Sequence, residues 1–145
     1  MDNETAAQYI AEDCRDRIDN IVAQLNAPFF VENDMFPIRL GRDCVEIGKK
    51  INSRDINGNA FWHGGVIYGV MDHAFALLVN IDGIAVGQGG SINYYRPGRG
   101  EVITAKASFI NVSKSLYHVN VEAYDGEKMV ASGTFVAFRL NEIRH

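Results

Sequence analysis

Apolar positions change their period along the chain. Tyr9, Ile10, Cys14, Ile18, Ile21, Val22 and Leu25 recur at three- and four-residue steps, with Glu12, Asp13, Arg15, Asp16 and Asp19 on the opposite face. That spacing predicts an amphipathic helix within 1–27, ended by Pro28 because proline disfavours helix at the residue before it. Residues 36–40 and 44–51 read as strands around a Gly41-Arg42-Asp43 turn, although Lys49 interrupts the alternation of Val45, Ile47 and Ile51. Residues 52–59 are a loop by composition. The stretch 64–80 is apolar all round, the pattern of a helix buried on every side. Beyond it, 84–95, 101–112, 116–124 and 129–140 read as strands, with Asp125-Gly126-Glu127 a tight hairpin signal. The order predicts one α+β domain over 1–145: an antiparallel sheet wrapped around a central helix, with an extra N-terminal helix.

Composition narrows the function. A 145-residue chain with 47% hydrophobic and 22% charged residues is long enough for one self-sufficient core. Its net charge of −4 disfavours general nucleic-acid binding, so local cation clusters stand out: Arg96 with Arg99, Lys49 with Lys50, and Lys114. No apolar run approaches the ~18–20 residues needed to cross a bilayer, so no membrane residence is expected. Two distant cysteines, Cys14 and Cys44, and an acidic N-terminus fit a cytoplasmic protein. No His, Cys or carboxylate spacing suggests a metal site, and no cofactor is expected.

Asp72 sits inside the apolar 64–80 stretch. A carboxylate there either reaches solvent, satisfies a helix end or His73, or is kept for chemistry. Gly64 and Gly65 precede it at the start of the helix. Without side chains they either make a tight turn or leave first-turn N–H groups open to a developing oxyanion.

The set Asn57-x5-His63-Gly64-Gly65-x6-Asp72, followed by Tyr95-Arg96-Pro97, resembles hotdog-fold thioesterases of the phenylacetate-pathway type over about 57–140. The resemblance implies a hotdog fold, acyl-CoA hydrolysis, and a site at the interface of a homodimer or dimer of dimers. It assigns Asp72 as base or nucleophile, the Gly64 amide as carbonyl polariser, Asn57 as an aid at the thioester, and His63 as organiser of the glycine turn. Many relatives place a serine or threonine in the strand before the Arg-Pro turn; here the region is Gly87-Gln88-Gly89-Gly90, with Gln88 or Ser91 as stand-ins.

The residue spacing speaks to the interface independently. Seven helical residues separate Gly65 from Asp72 by roughly 10 Å, whereas a reacting carbon must lie within ~3.5 Å of its attacker. A second antiparallel helix would close that gap, so Asp72 is expected to act on a partner's site. Gly65, Arg96, Arg99 and Lys114 are candidate substrate contacts, the cations for coenzyme A phosphates. His73 should point away from Asp72's surroundings, and His118 and His145 have no evident partner in the sequence. Phe61, Trp62, Tyr68 and Phe75 are core or acyl-pocket wall; of Tyr94 and Tyr95, alternation allows only one to face a ligand. A non-catalytic acyl-CoA-binding domain and an enoyl-CoA hydratase are the competing readings; the second needs a paired acid and base.

Overall fold

The computed structural model describes residues 1–142, so His145 lies outside the described residues. Six strands form a single antiparallel sheet in the order β1-β2-β4-β5-β6-β3: β1 (Met35–Leu40), β2 (Cys44–Lys50), β3 (Gly83–Tyr94), β4 (Val102–Val112), β5 (Leu116–Asp125) and β6 (Lys128–Glu142). Alternation sets which face is buried. Ile103, Ala105 and Ala107 on β4, Val119, Val121 and Ala123 on β5, and Ala131, Phe135 and Ala137 on β6 all point inward and are buried. Gly126 takes a φ of 60° between the paired Asp125 and Lys128, the positive φ that a two-residue hairpin requires.

One long helix, α4 (Gly64–Val79), lies across the inner face and packs against β2 to β6. Ile67, Val70, Met71, Ala74, Leu77 and Leu78 fill the space between. The α+β prediction therefore holds, with the sheet folded round α4. No helix among the described residues is long and apolar enough to cross a membrane.

The N-terminal region departs from the prediction. The single helix expected within 1–27 is broken into α1 (Asn3–Ala7), a 3-10 turn (Glu12–Arg17) and α2 (Ile18–Leu25). The interruption is tertiary. Tyr9 and Ala11 exchange backbone hydrogen bonds with Leu40 at the end of β1, and Ile10 bridges Leu40. Cys14 then leaves helical geometry at φ −128°, with its Sγ on the Leu40 carbonyl. Pro28 does not merely end a helix; it starts α3 (Pro28–Glu32), where a missing N–H costs nothing.

α2 and α3 close one flank of α4. Asn20 donates its side-chain amide to the carbonyls of Asn80 and Ile81, the latter at 2.9 Å, and so satisfies the helix's C-terminal end. Phe30 packs on His73 with ring centroids 4.8 Å apart, and Phe29 lies over the same ring at 6.2 Å. A Cβ at Gly69 would meet Phe29 at 3.2 Å, so this flank is tightly filled.

Candidate active site

The loop into α4 is held at several points. His63 is the N-cap: its Nδ1 accepts the Gly65 N–H at 2.9 Å, and its own N–H donates to the Asp55 carbonyl at 2.7 Å. A side chain on Gly65 would crowd that imidazole at 3.1 Å. The Gly65 amide is thus occupied within the chain. Among the described residues no group accepts the Gly64 N–H. It is the free donor at the positive end of a 16-residue helix.

Asn57 is committed on one side. Its Oδ1 accepts from the Asn59 and Phe61 amides at 2.9 and 3.1 Å, which leaves the side-chain NH2 to meet a ligand as donor. Asn57, Gly64, Trp62, Tyr94 and Arg96 line one pocket of about 360 Å³. The Tyr94 hydroxyl donates to the Gly64 carbonyl at 3.1 Å. Tyr95 borders the pocket as well, with its N–H on the Val130 carbonyl at 2.8 Å and its hydroxyl on Ser132. Trp62 is buried, its indole N–H on the Gly100 carbonyl at 2.9 Å, and any Cβ at Gly98 would collide with its ring. That glycine lets the Arg-Pro turn lie flat against the loop.

Asp72 does not line this pocket. It occupies an exposed strip of α4, between two faces that the neighbours define. Tyr68, one turn before, has its hydroxyl 3.0 Å from where a Gly90 Cβ would stand; Phe75, three residues on, is 3.4 Å from that of Gly87. The carboxylate therefore looks toward the glycine-rich middle of β3, which is an edge strand. Gln88 is the extra residue of a bulge there, between Gly87 and Gly89. Ser91 pairs with Thr134 and, next to inward-facing Gly90, points to the opposite side of the sheet, so it cannot stand in beside Asp72 within one chain. Partial burial holds the Asp72 carboxyl above its ordinary value. His73 points the other way as expected, and burial among the α3 aromatics pushes it down.

The cations divide. Arg96 and Arg99 meet Lys128 around a second hollow, adjoining the first through Arg96 and Pro97. Asp125 is tied there by the Arg99 and Gly100 amides at 2.9 and 3.2 Å. Arg99 also lies over the Phe61 ring at 4.9 Å. Lys128 was missed in the sequence, since only the hairpin pairing brings it beside Arg99. Lys114 belongs to the opposite end of the β4–β5 hairpin; the length of β5 puts it about 30 Å from the Arg99 turn in the same chain. Its assignment to the same phosphate cluster does not hold within one chain. Lys49 is not a surface cation at all, being 1% exposed and paired with Asp55. Among the described residues no group of three or more His, Cys, Asp or Glu side chains could hold a metal ion.

Residues 59–132 match the thioesterase superfamily. The chain belongs to that family. It is 29% identical over 106 residues to the acyl-coenzyme A thioesterase PaaI of Escherichia coli, covering 67% of this chain and 76% of that one. Another curated relative, a putative esterase, is spanned over only 60% of its length. A solved phenylacetic acid degradation protein PaaI from Thermus thermophilus is 30% identical, covering 79% of this chain and all of that one, with a TM-score of 0.75. A Streptococcus mutans protein solved with acetyl CoA shares the fold at 21% identity and a TM-score of 0.71, covering 76% of this chain and 91% of that one. The superfamily match begins at residue 59, just after Asn57, and takes in α4 and the strands after it. The fold is the hotdog fold.

Proposed function

We propose that this thioesterase-superfamily protein hydrolyses acyl-CoA thioesters to a free acid and CoA, at sites completed by a second copy of the chain. The observation that carries the reading is the unclaimed Gly64 N–H, opening from a helix N-terminus into the pocket that also holds Asn57 and Arg96. The thioester oxygen would accept from Gly64 as the carbonyl carbon becomes tetrahedral, with the Asn57 NH2 as a further donor. Arg96, Arg99 and Lys128 would meet the phosphates. The acetyl CoA bound to the Streptococcus mutans protein accords with that class of ligand.

Asp72 completes the chemistry from the partner. The first-turn amides of its own helix lie roughly 10 Å away by helical rise, and it lies exposed beside an open edge strand of 12 residues. Pairing β3 with its copy would bring two α4 helices together and set each Asp72 toward the other chain's Gly64. There Asp72 either takes a proton from water as the water oxygen attacks, or attacks the carbonyl itself to form a mixed anhydride that water then cleaves, releasing the acid and restoring the carboxylate. In both cases the CoA sulfur leaves with the bonding electron pair. Hydration of an enoyl-CoA would need a second acid or base beside Asp72. The neighbours one turn away on α4 are Tyr68, Gly69, Phe75 and Ala76, none of them an acid or base for this step, and His73 is buried on the closed flank. The free thiols of Cys14 and Cys44 fit a reducing cytoplasm.

A panel of acyl-CoAs, scored by mass spectrometry for CoA release and for hydration, tests the reaction. Release of CoA from at least one member is expected. Tight binding without turnover across the panel would instead establish a binding module.

A further inference from the structure

The hydrolytic reading leaves one buried pair of charges without a task. Lys49 faces inward on β2 between Met35 and Ile103, on the same side as Val45 and Ile47, where alternation calls for an apolar residue. Its side chain is 1% exposed and that of Asp55 4%, with Nζ and Oδ2 2.8 Å apart. The ammonium also donates to the Asn33 carbonyl at 2.7 Å and the Lys50 carbonyl at 3.1 Å, so its three protons are used. The same Asp55 oxygen accepts the Asn52 N–H at 2.9 Å.

We infer that the Lys49–Asp55 ion pair is a positioning device that fixes the Asn57–Gly64 loop, and with it the two ligand-facing donors. The inference rests on the proposed thioester hydrolysis. Its path is short. The Asp55 carbonyl accepts the His63 N–H, Ile56 bridges Trp62, and the Asn57 N–H donates to the Phe61 carbonyl at 2.7 Å. The loop is therefore a narrow ribbon anchored at Asp55. Asn57 stands near its closed end, and its returning arm delivers Gly64 to the start of α4. Replacing a buried ion pair by apolar groups is commonly neutral or favourable for stability, so stability alone does not account for two charges here. Direction does: an ion pair whose three ammonium protons are all assigned, and whose Asp55 Oδ2 holds both Lys49 and the Asn52 amide, fixes the loop's register, which apolar packing would leave free to slide.

The test is Lys49→Met/Asp55→Asn, which removes both charges and keeps an acceptor for the Asn52 amide. Trp62, the sole tryptophan, lies in the ribbon and reports on it directly. With wild-type melting behaviour, the variant is expected to lose ~10–100-fold in kcat with KM changed far less, because misplacement of about 1 Å costs rates of that order. Acrylamide quenching of Trp62 should rise in parallel. Wild-type kcat in the folded variant, or unchanged quenching, would overturn the inference. Should the double variant fail to fold, Asp55→Glu keeps the charges paired and shifts the anchor by one methylene. A several-fold fall in kcat at constant KM then supports the device, and an unchanged kcat rejects it. Failure of the hydrolytic reading would show separately, as a wild-type protein inactive on the whole acyl-CoA panel; the quenching result would still decide whether the pair holds the loop.

Discussion

Asp72 and His73 are chain neighbours on one helix, and their surroundings could hardly differ more. His73 lies on the flank that the chain closes for itself, under Phe29 and Phe30. Asp72 lies on the flank left open, beside the bulged edge strand. Desolvation acts on both and pushes each toward its neutral form, which lowers the histidine and raises the aspartate. One force thus has two chemical outcomes. The histidine is held toward its uncharged form among packed aromatics, whereas the carboxylate, on an open surface, binds a proton more readily than usual.

The largest effect expected from breaking this contrast is on turnover. Asp72→Asn should cut kcat by about 10²–10⁴-fold in steady-state assays with the fold intact. The same change should raise the melting temperature near neutral pH. A carboxyl with a raised folded value gives its full stability contribution below its ordinary value of 3.8, and loses it as pH rises through the folded one. The advantage of the variant should therefore vanish in acid; loss of both turnover and stability at neutral pH would contradict it.

Next comes the question of who closes the open flank. An Asp72→Ala chain and an Asn57→Ala chain, each nearly inactive alone, are mixed and allowed to exchange subunits. Random pairing makes half the dimers mixed, and each mixed dimer has one intact composite site, so about a quarter of all sites should recover. No recovery after proven exchange would place the whole site within one chain.

Smaller effects separate the cations. Arg96→Ala with Arg99→Ala should raise KM for acyl-CoA several-fold more than it lowers kcat, and salt should weaken binding. Lys114→Ala, at the far end of β5, should leave KM within about twofold unless a second chain brings it to the site. The smallest effect falls on the closed flank. Because His73 is held neutral, stability should decline as pH falls below the histidine's ordinary value of 6.5, and His73→Leu should flatten that decline in thermal melts without touching kcat.

Much of this contrast was legible in the sequence. The 64–80 pattern gave α4 to within a residue, and adjacency alone said that His73 must face away from Asp72's side. Four of the six strands followed from alternation after the helix, where each apolar position meets one packed layer. The N-terminal periodicity misled for a physical reason: Ile10, Cys14 and Ile21 are all buried, but by contacts with Leu40 and the sheet end as well as by helix packing. Lys114 was grouped with Arg96 and Arg99 by nearness to a turn, but sequence says nothing about which end of a hairpin the turn occupies, and within one chain the two turns lie at opposite ends of β5. Lys49 carried its signal openly, as a break in an apolar alternation, yet its partner lies across a loop and no local pattern names it.

The bulge at Gln88 also bears on how the chain survives its own synthesis. An edge strand of 12 residues with exposed Ile84 and Val86 at one end is a template on which stray chains can add and grow into aggregates. Gly87, Gly89 and Gly90 supply no side chains for a dry zipper, and the bulge breaks the hydrogen-bond ladder at the strand's middle. Neither half then offers the unbroken run of about six apolar residues that fibrillar stacking requires. Filling this stretch with valines would flatten the edge and turn it into a surface on which any stray strand could add.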